Sequence, residues 1–291
     1  MAEKLQTIKE IRRIIIQMFS ALYPAEEARA VASVIIEEYT GKSRVHQMTD
    51  GESLISMTGE KAVTEAAERV AAGEPLQYVL GYTLFYGHRF NVNPAVLIPR
   101  PETEEMTSLI AMENEGFEGT VIDFCTGSGC IAVSLALAFP EATVHATDIS
   151  PEAIETATQN ASANDAVIHF IVSDIFNTAP DEYPLAGIIV SNPPYVRESE
   201  KKQMRRNVLE HEPSQALFVS DADPFLFYRM LEQIARCRLL SGGSIYMEIN
   251  EALGSATRAL FENGYYEDLR LIKDIRGKDR ILTARRNGRK E

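Results

Sequence analysis

Apolar residues recur every three or four positions from Leu5 to Leu22, which predicts an amphipathic helix. Ala28, Val31, Ala32, Ile35 and Ile36 predict a second helix, with Pro24 in place for its first turn. Gly41 and Gly51 mark breaks, and residues 60–72 read as an alanine-rich helix ended by Gly73. The pattern then changes. Residues 82–86 and 89–92 are short aromatic and β-branched runs separated by Gly87-His88, the signature of a β-hairpin. Pro99-Arg100-Pro101 stops any regular element, and residues 102–112 read as a helix. From Thr120 the rhythm is strand, helix, strand, helix. Strands are predicted over 120–125, 143–148, 168–173, 187–191, 244–249, 268–273 and 280–284, and helices over 130–139, 151–161, 223–239 and 251–263. Such alternation predicts an α/β fold: a doubly wound, mostly parallel, seven-stranded Rossmann-like sheet. The last two strands, joined through residues 274–279, are placed as an antiparallel edge hairpin. The expected division is a helical bundle over 1–73, a hairpin linker over 74–99 and a main α/β domain over 100–291.

A hydrophobic content of 45% in 291 residues supports a real core and excludes global disorder. The balance of 29 basic against 42 acidic residues gives a net charge of −13. Such a surface repels a nucleic-acid backbone unless a local basic patch reverses it, and it favours a basic protein partner. It is equally the solubility charge of an ordinary cytoplasmic protein. Cys125, Cys130 and Cys237 are odd in number and form no Cys-x-x-Cys pair, so neither a disulfide framework nor a metal site is expected. Met1-Ala2-Glu3-Lys4 does not open a signal peptide, and no stretch has the roughly 18 apolar residues of a membrane span. A cytoplasmic protein without a membrane anchor is expected.

The segment from Val121 to Ile131 is a strand, a glycine turn and a helix start. Gly127 and Gly129 let the backbone turn tightly beside a ligand, and Asp148 ends the next strand where a carboxylate can accept ribose hydroxyls. This arrangement is shared by nicotinamide, flavin and S-adenosylmethionine proteins. The acid Asp123, just before the turn, suits a cationic or zwitterionic ligand rather than a pyrophosphate. S-adenosyl-L-methionine, which carries a sulfonium charge and no phosphate, is therefore the expected cofactor. Asp174, after the third strand, is a candidate acceptor for an adenine amino group, or else a turn cap, with Ile175 and Phe176 beside it.

Ser191-Asn192-Pro193-Pro194-Tyr195 follows the apolar strand ending in Val190, at a carboxyl end of the sheet. Two prolines stiffen the backbone and give up their donors, leaving a carbonyl and the Asn192 side-chain oxygen as acceptors. An NH2 group has two protons to offer such a pair. Tyr195 offers an aromatic face to a planar group. Because an amide lone pair is delocalised, catalysis would rest on placing the nitrogen in line with the methyl group and on fixed acceptors, without a strong base. Methylation of a planar nitrogen is the chemistry expected at Asn192, Pro193, Pro194 and Tyr195.

With these residues in view, the chain resembles the HemK/PrmC family of release factor glutamine methyltransferases. The resemblance runs through residues 73–78, Phe85-Tyr86-Gly87, residues 96–104, the turn Cys125-Thr126-Gly127-Ser128-Gly129, Asn192-Pro193-Pro194-Tyr195, Glu212-Pro213 with Ala216-Leu217, and residues 274–280. It implies methylation of the glutamine of a Gly-Gly-Gln tripeptide in class I peptide chain release factors, with the N-terminal helices recognising the partner. It also implies cofactor binding by Cys125 to Gly129, Asp148 and Ile175, with Asn192 shared between cofactor and substrate. Two departures stand out. Cys125 replaces a glycine, and Ile175 stands where an aromatic residue often stacks on adenine.

Nucleic-acid amino-methyltransferases carry a similar motif, and Lys201-Lys202 with Arg205-Arg206, and Arg285-Arg286 with Arg289-Lys290, are the basic clusters such an enzyme would need. The acidic balance opposes that reading. A nicotinamide-dependent oxidoreductase would leave Asn192 to Tyr195 without a role, and a non-catalytic binding module would not need the acids. Fold alone does not separate them.

Overall fold

The computed structural model describes residues 5–288; Met1 to Lys4 and the Arg289-Lys290 pair lie outside the described residues. In chain order it forms helices α1 (Ile8–Phe19), α2 (Ala25–Thr40), α3 (Arg44–Thr49), α4 (Met57–Ala71) and α5 (Leu76–Leu80), then strands β1 (Tyr82–Phe85) and β2 (His88–Asn91). Next come α6 (Pro101–Glu113), β3 (Thr120–Phe124), α7 (Cys130–Ala138), β4 (Thr143–Asp148), α8 (Pro151–Ala163), β5 (Ile168–Val172) and β6 (Ala186–Ser191). The chain continues through β7 (Val196–Arg197), α9 (Arg206–His211), β8 (Phe218–Val219), α10 (Leu226–Arg238), β9 (Leu239–Glu248), α11 (Gly254–Ala259), β10 (Tyr266–Lys273) and β11 (Asp279–Arg286). No helix among the described residues is long and apolar enough to cross a membrane.

Two compact units result: a helical one up to Gly81 that takes in Arg205–His211, and an α/β one made of Tyr82–Met204 and Glu212 onward. The sequence division had set residues 74–99 apart as a linker. Instead, Val79 of α5 packs into the helical core, whereas Phe85 and Phe90 of the hairpin are buried in the core of the α/β unit.

In the helical unit, Ile8, Ile11, Ile15 and Phe19 of α1 meet Val31, Ala32, Ile35 and Ile36 of α2 and Val63, Ala67 and Val70 of α4. These are the three-and-four spacings of the sequence, closing on one another. A capping box starts α1: Thr7 Oγ1 accepts from Glu10 N (3.2 Å), and Thr7 N donates to the Glu10 carboxylate (2.9 Å). Pro24 sits one residue earlier than expected, capping α2 rather than opening it.

The α/β unit holds a seven-stranded sheet of order β10-β11-β9-β6-β3-β4-β5, in which β11 runs antiparallel to both neighbours and the rest are parallel. The predicted edge hairpin is β10–β11. Side chains alternate across the sheet: Val121, Ile188, Val190 and Tyr246 pack on the side of α6 and α7, and Ile122, Ile189, Ile245 and Met247 pack on the side of α10. Burial on both faces is what parallel strands between helices require. Strand order reverses between β3 and β6, which puts a crevice at their carboxyl ends.

Two local differences from the sequence reading have clear causes. The β1–β2 turn is Tyr86-Gly87, not Gly87-His88, because Phe85 pairs with His88; both turn residues have positive φ, as a two-residue hairpin turn of this twist demands. Strand β9 begins at Leu239 rather than Ser244. Its pairing with β6 slips between Ala186↔Leu239 and Ile188↔Ser244, so Gly242-Gly243 falls at an irregularity inside the strand.

Candidate active site

The loops after β3, β4, β5 and β6 open on one cavity of about 460 Å³. Of the predicted residues, Cys125, Thr126, Gly127, Ser128, Asp148, Asp174, Ile175, Asn192 and Pro194 line it. Gly129, Pro193 and Tyr195 are not among the lining residues.

The turn after β3 is held from several directions. Thr126 N donates to Thr147 O (2.9 Å), and Gly127 N donates to Asp148 Oδ2 (2.9 Å), so β4 fixes the turn of β3. Asp148 Oδ1 accepts from Ser150 N (3.0 Å). Burial raises the Asp148 carboxyl above its ordinary value, and the backbone donors of Ser150, Gly127 and Ile149 oppose the rise. Asn160, fully buried on α8, was not singled out by the sequence. Its Nδ2 donates to Ser128 O (2.9 Å) and Asn91 O (3.0 Å), and its Oδ1 accepts from Asn91 N (2.7 Å), tying the turn to β2.

Asp123 corrects an expectation. Rather than facing a cationic ligand, it is fully buried and accepts from Thr126 Oγ1 (2.6 Å), bracing the turn from below. Burial pushes its carboxyl up to about 7. Asp174 fulfils the turn-cap alternative while still lining the cavity: Oδ1 accepts from Phe176 N (2.9 Å) and Oδ2 from Asn177 Nδ2 (2.6 Å). Beside it Ile175 is buried, and Phe176 lines the cavity edge-on to Phe227, with ring centroids 5.0 Å apart.

At the motif after β6, Asn192 Nδ2 donates to Thr103 Oγ1 (3.0 Å), on the first turn of α6. Thr103 Oγ1 donates in turn to Glu248 Oε2 (2.6 Å), and Tyr195 Oη donates to Glu248 Oε1 (2.7 Å). Glu248 is buried, which raises its carboxyl, while Arg280 nearby opposes the rise. Burial, and then the adjacent Glu248, keep the Tyr195 phenol protonated well above its ordinary range. Arg280 itself pairs with Asp274 and Glu251 (both 3.2 Å). Sequence reasoning passed over Thr103 and Glu248; the available signal was an acid within the apolar run 244–249.

Known proteins resemble this chain over most of its length. Residues 105–217 match the model of the methyltransferase small domain, and residues 12–81 that of the PrmC N-terminal domain. A release factor glutamine methyltransferase of Bacteroides thetaiotaomicron is 42% identical over 279 residues, covering 96% of this chain and 100% of that protein. One from Flavobacterium psychrophilum is 39% identical over 283 residues, covering 94% and 98%. The chain belongs to the release factor glutamine methyltransferase family. Among solved structures, a methyltransferase from Pyrococcus furiosus superimposes with a TM-score of 0.50 at 17% identity, over 69% of this chain and 90% of that one, a likeness of fold.

Within this family resemblance, the two departures acquire a physical description. Cys125 stands at φ +59°, the left-handed region that its glycine counterpart enters freely, so its Cβ imposes strain of about 1–2 kcal/mol on the turn. Burial first, and Asp148 next, push the thiol well above its ordinary value. One position after Ile175, Phe176 presents an aromatic surface to the cavity, edge-on to Phe227.

Proposed function

We propose that the protein transfers the methyl group of S-adenosylmethionine to the side-chain amide nitrogen of a glutamine in class I peptide chain release factors, within a Gly-Gly-Gln tripeptide. The observation that carries this reading is the pairing of two features in one cavity: an acidic cofactor pocket, and an asparagine whose NH2 already donates to a neighbouring wall residue, Thr103.

The cavity suits a cofactor without phosphate. Asp148, Glu152 and Asp174 line it against one cation, Arg100, and Arg100 is held by buried Glu212 (2.6 Å). A pyrophosphate would meet three carboxylates there, whereas an ammonium and a sulfonium meet favourable charge. The volume lies within the roughly 300–1,000 Å³ usual for small-molecule sites. Asp148 is the acceptor for ribose hydroxyls, Phe176 and Ile175 flank adenine, and Thr126 to Ser128 border the amino-acid end. When bound, S-adenosylmethionine supplies a methyl group on an electron-poor sulfur.

The protein's part is orientation. Since Asn192 Nδ2 donates to Thr103, the amide is oriented with Oδ1 as an acceptor for an N–H of the incoming amide. Pro193 and Pro194 keep that acceptor from drifting. As the amide nitrogen gains positive charge, the hydrogen bond to Oδ1 strengthens, which stabilises the transition state more than the ground state.

The basic clusters fit this substrate better than a nucleic acid. Lys201 pairs with Glu198, Arg205 with Glu27 and Arg206 with Glu210, so acids neutralise three of the four positions in the first cluster. In the second, Arg285 and Arg286 donate to the carbonyls of Gly242 and Leu239.

Incubation with radiolabelled S-adenosylmethionine and either a release factor or bulk nucleic acid tests the proposal. Label is expected in the release factor, and Asn192→Ala is expected to cut turnover about 100-fold or more with a smaller change in cofactor affinity. Label in nucleic acid alone, or unchanged turnover in the variant, would overturn it.

A further inference from the structure

Glu248, Thr103 and Asn192 form a chain of hydrogen bonds that ends at the acceptor assigned to the substrate, an assignment that rests on the function proposed above. We infer that Thr103 and Glu248 are positioning residues that fix which end of the Asn192 amide faces the cavity, and so make the site select a carboxamide over a carboxylate.

The reasoning is one of donor and acceptor counting. An ionised carboxylate only accepts, and both Glu248 oxygens are engaged, one by Thr103 (2.6 Å) and the other by Tyr195 (2.7 Å). A hydroxyl has a single proton. Having given it to Glu248, Thr103 can offer Asn192 only a lone pair. The group of Asn192 that meets Thr103 at 3.0 Å must therefore be the NH2, and the oxygen is left for the cavity. The direction of the whole chain follows from the two hydrogen bonds that Glu248 accepts, from Thr103 and Tyr195. Thr103 and Glu248 are 2% and 1% exposed, so water does not offer a ready substitute partner.

An acceptor held in that direction welcomes the NH2 of glutamine and repels the carboxylate of glutamate, which has the same shape. Without the Thr103 hydroxyl, the Asn192 amide is free to turn over, and its NH2 can then greet a carboxylate. Loss of the relay should thus do two things together: lower turnover of glutamine and improve binding of glutamate. General loss of structure would not improve binding of anything.

The test compares wild type, Thr103→Val and Thr103→Ser with a release factor as substrate and, as competitor, the same factor carrying glutamate in place of the Gly-Gly-Gln glutamine. Thr103→Val is expected to lower kcat about 10- to 100-fold and to tighten inhibition by the glutamate factor about tenfold relative to the KM for glutamine. Affinity for S-adenosylmethionine should stay within about threefold. Thr103→Ser, which keeps the hydroxyl, should restore both kcat and discrimination. Equal impairment of the serine and valine variants, or unaltered discrimination in the valine variant, overturns the relay. Should Thr103→Val fail to fold, Thr103→Ala, which suits the first turn of α6, makes the same measurement. If wild type itself does not methylate the release factor, the proposed function fails instead, so the two failures are distinguishable.

Discussion

Gly127 and Gly129 lie two residues apart in the same turn, yet the structure assigns them different tasks, and alanine at each should separate those tasks. Both have left-handed φ, +54° and +77°, so alanine costs about 1–2 kcal/mol at either place, against about 0.4–1 kcal/mol returned by a stiffer unfolded chain. Their surroundings differ. A Cβ at Gly129 would lie 2.9 Å from Ala157 Cβ and 3.2 Å from Ala157 Cα, in the seam between the turn and α8. Overpacking there adds about 1–3 kcal/mol. A Cβ at Gly127 meets no atom within 4 Å, and Gly127 lines the cavity. Gly129→Ala is therefore expected to lose about 1–4 kcal/mol of folding stability. Gly127→Ala should lose at most about 1.5 kcal/mol but bind S-adenosylmethionine about tenfold more weakly. Urea denaturation followed by circular dichroism, and calorimetric titration of the cofactor, read the two effects separately. Adding Ala157→Gly removes the close neighbour, and in the double variant about 1–2 kcal/mol of the Gly129→Ala loss should return as a coupling energy. If Gly127→Ala unfolds as easily as Gly129→Ala, or if Ala157→Gly returns nothing, the division of labour in the turn is wrong.

Two further outcomes follow from the carboxylates that hold the turn, Asp148 and Asp123. Asp148→Ala should weaken S-adenosylmethionine about tenfold or more while also loosening the turn that donates to it from Gly127 N; equilibrium binding showing no loss would contradict the ribose role. Asp123 has a folded-state value of about 7, above its ordinary 3.8, so its contribution to stability is complete below about pH 3.8 and is lost as pH rises toward 7. Relative to Asp123→Asn, wild type should lose up to about 4 kcal/mol across that window. A wild-type-minus-variant stability that stays flat from pH 4 to pH 8 would show that Asp123 does not ionise out of its ordinary range.

The parts of this site that could be read from the sequence are those that one βαβ unit sets by itself. Gly127, Gly129 and Asp148 are joined by a single crossover, and the short distance from Gly127 N to Asp148 Oδ2 follows from adjacent parallel strands in register, Phe124 opposite Thr147. Asp123 was visible but misread, because an acid at the end of a strand looks the same in sequence whether it faces the cavity or the core beneath it. The hydrogen bond it receives from Thr126, three residues on, tells the two apart.

The relay was illegible for a different reason. Thr103 and Glu248 are 145 residues apart, and Asn192 and Thr103 are 89 apart, separations over which spacing carries no geometric information. What joins them is the strand order. Strand β9, last of the parallel strands in the chain, inserts beside β6, and Ser191 pairs with Met247. The next residues along are Asn192 and Glu248, brought to the same carboxyl edge by that pairing. A slip of one residue would put Met247 on the face of α6 and α7 and Glu248 on the face of α10. The apolar residues Ile245 and Met247, packed with Ile189 on the face of α10, therefore do more than stabilise the sheet: by fixing its register they decide that an acid stands behind the asparagine.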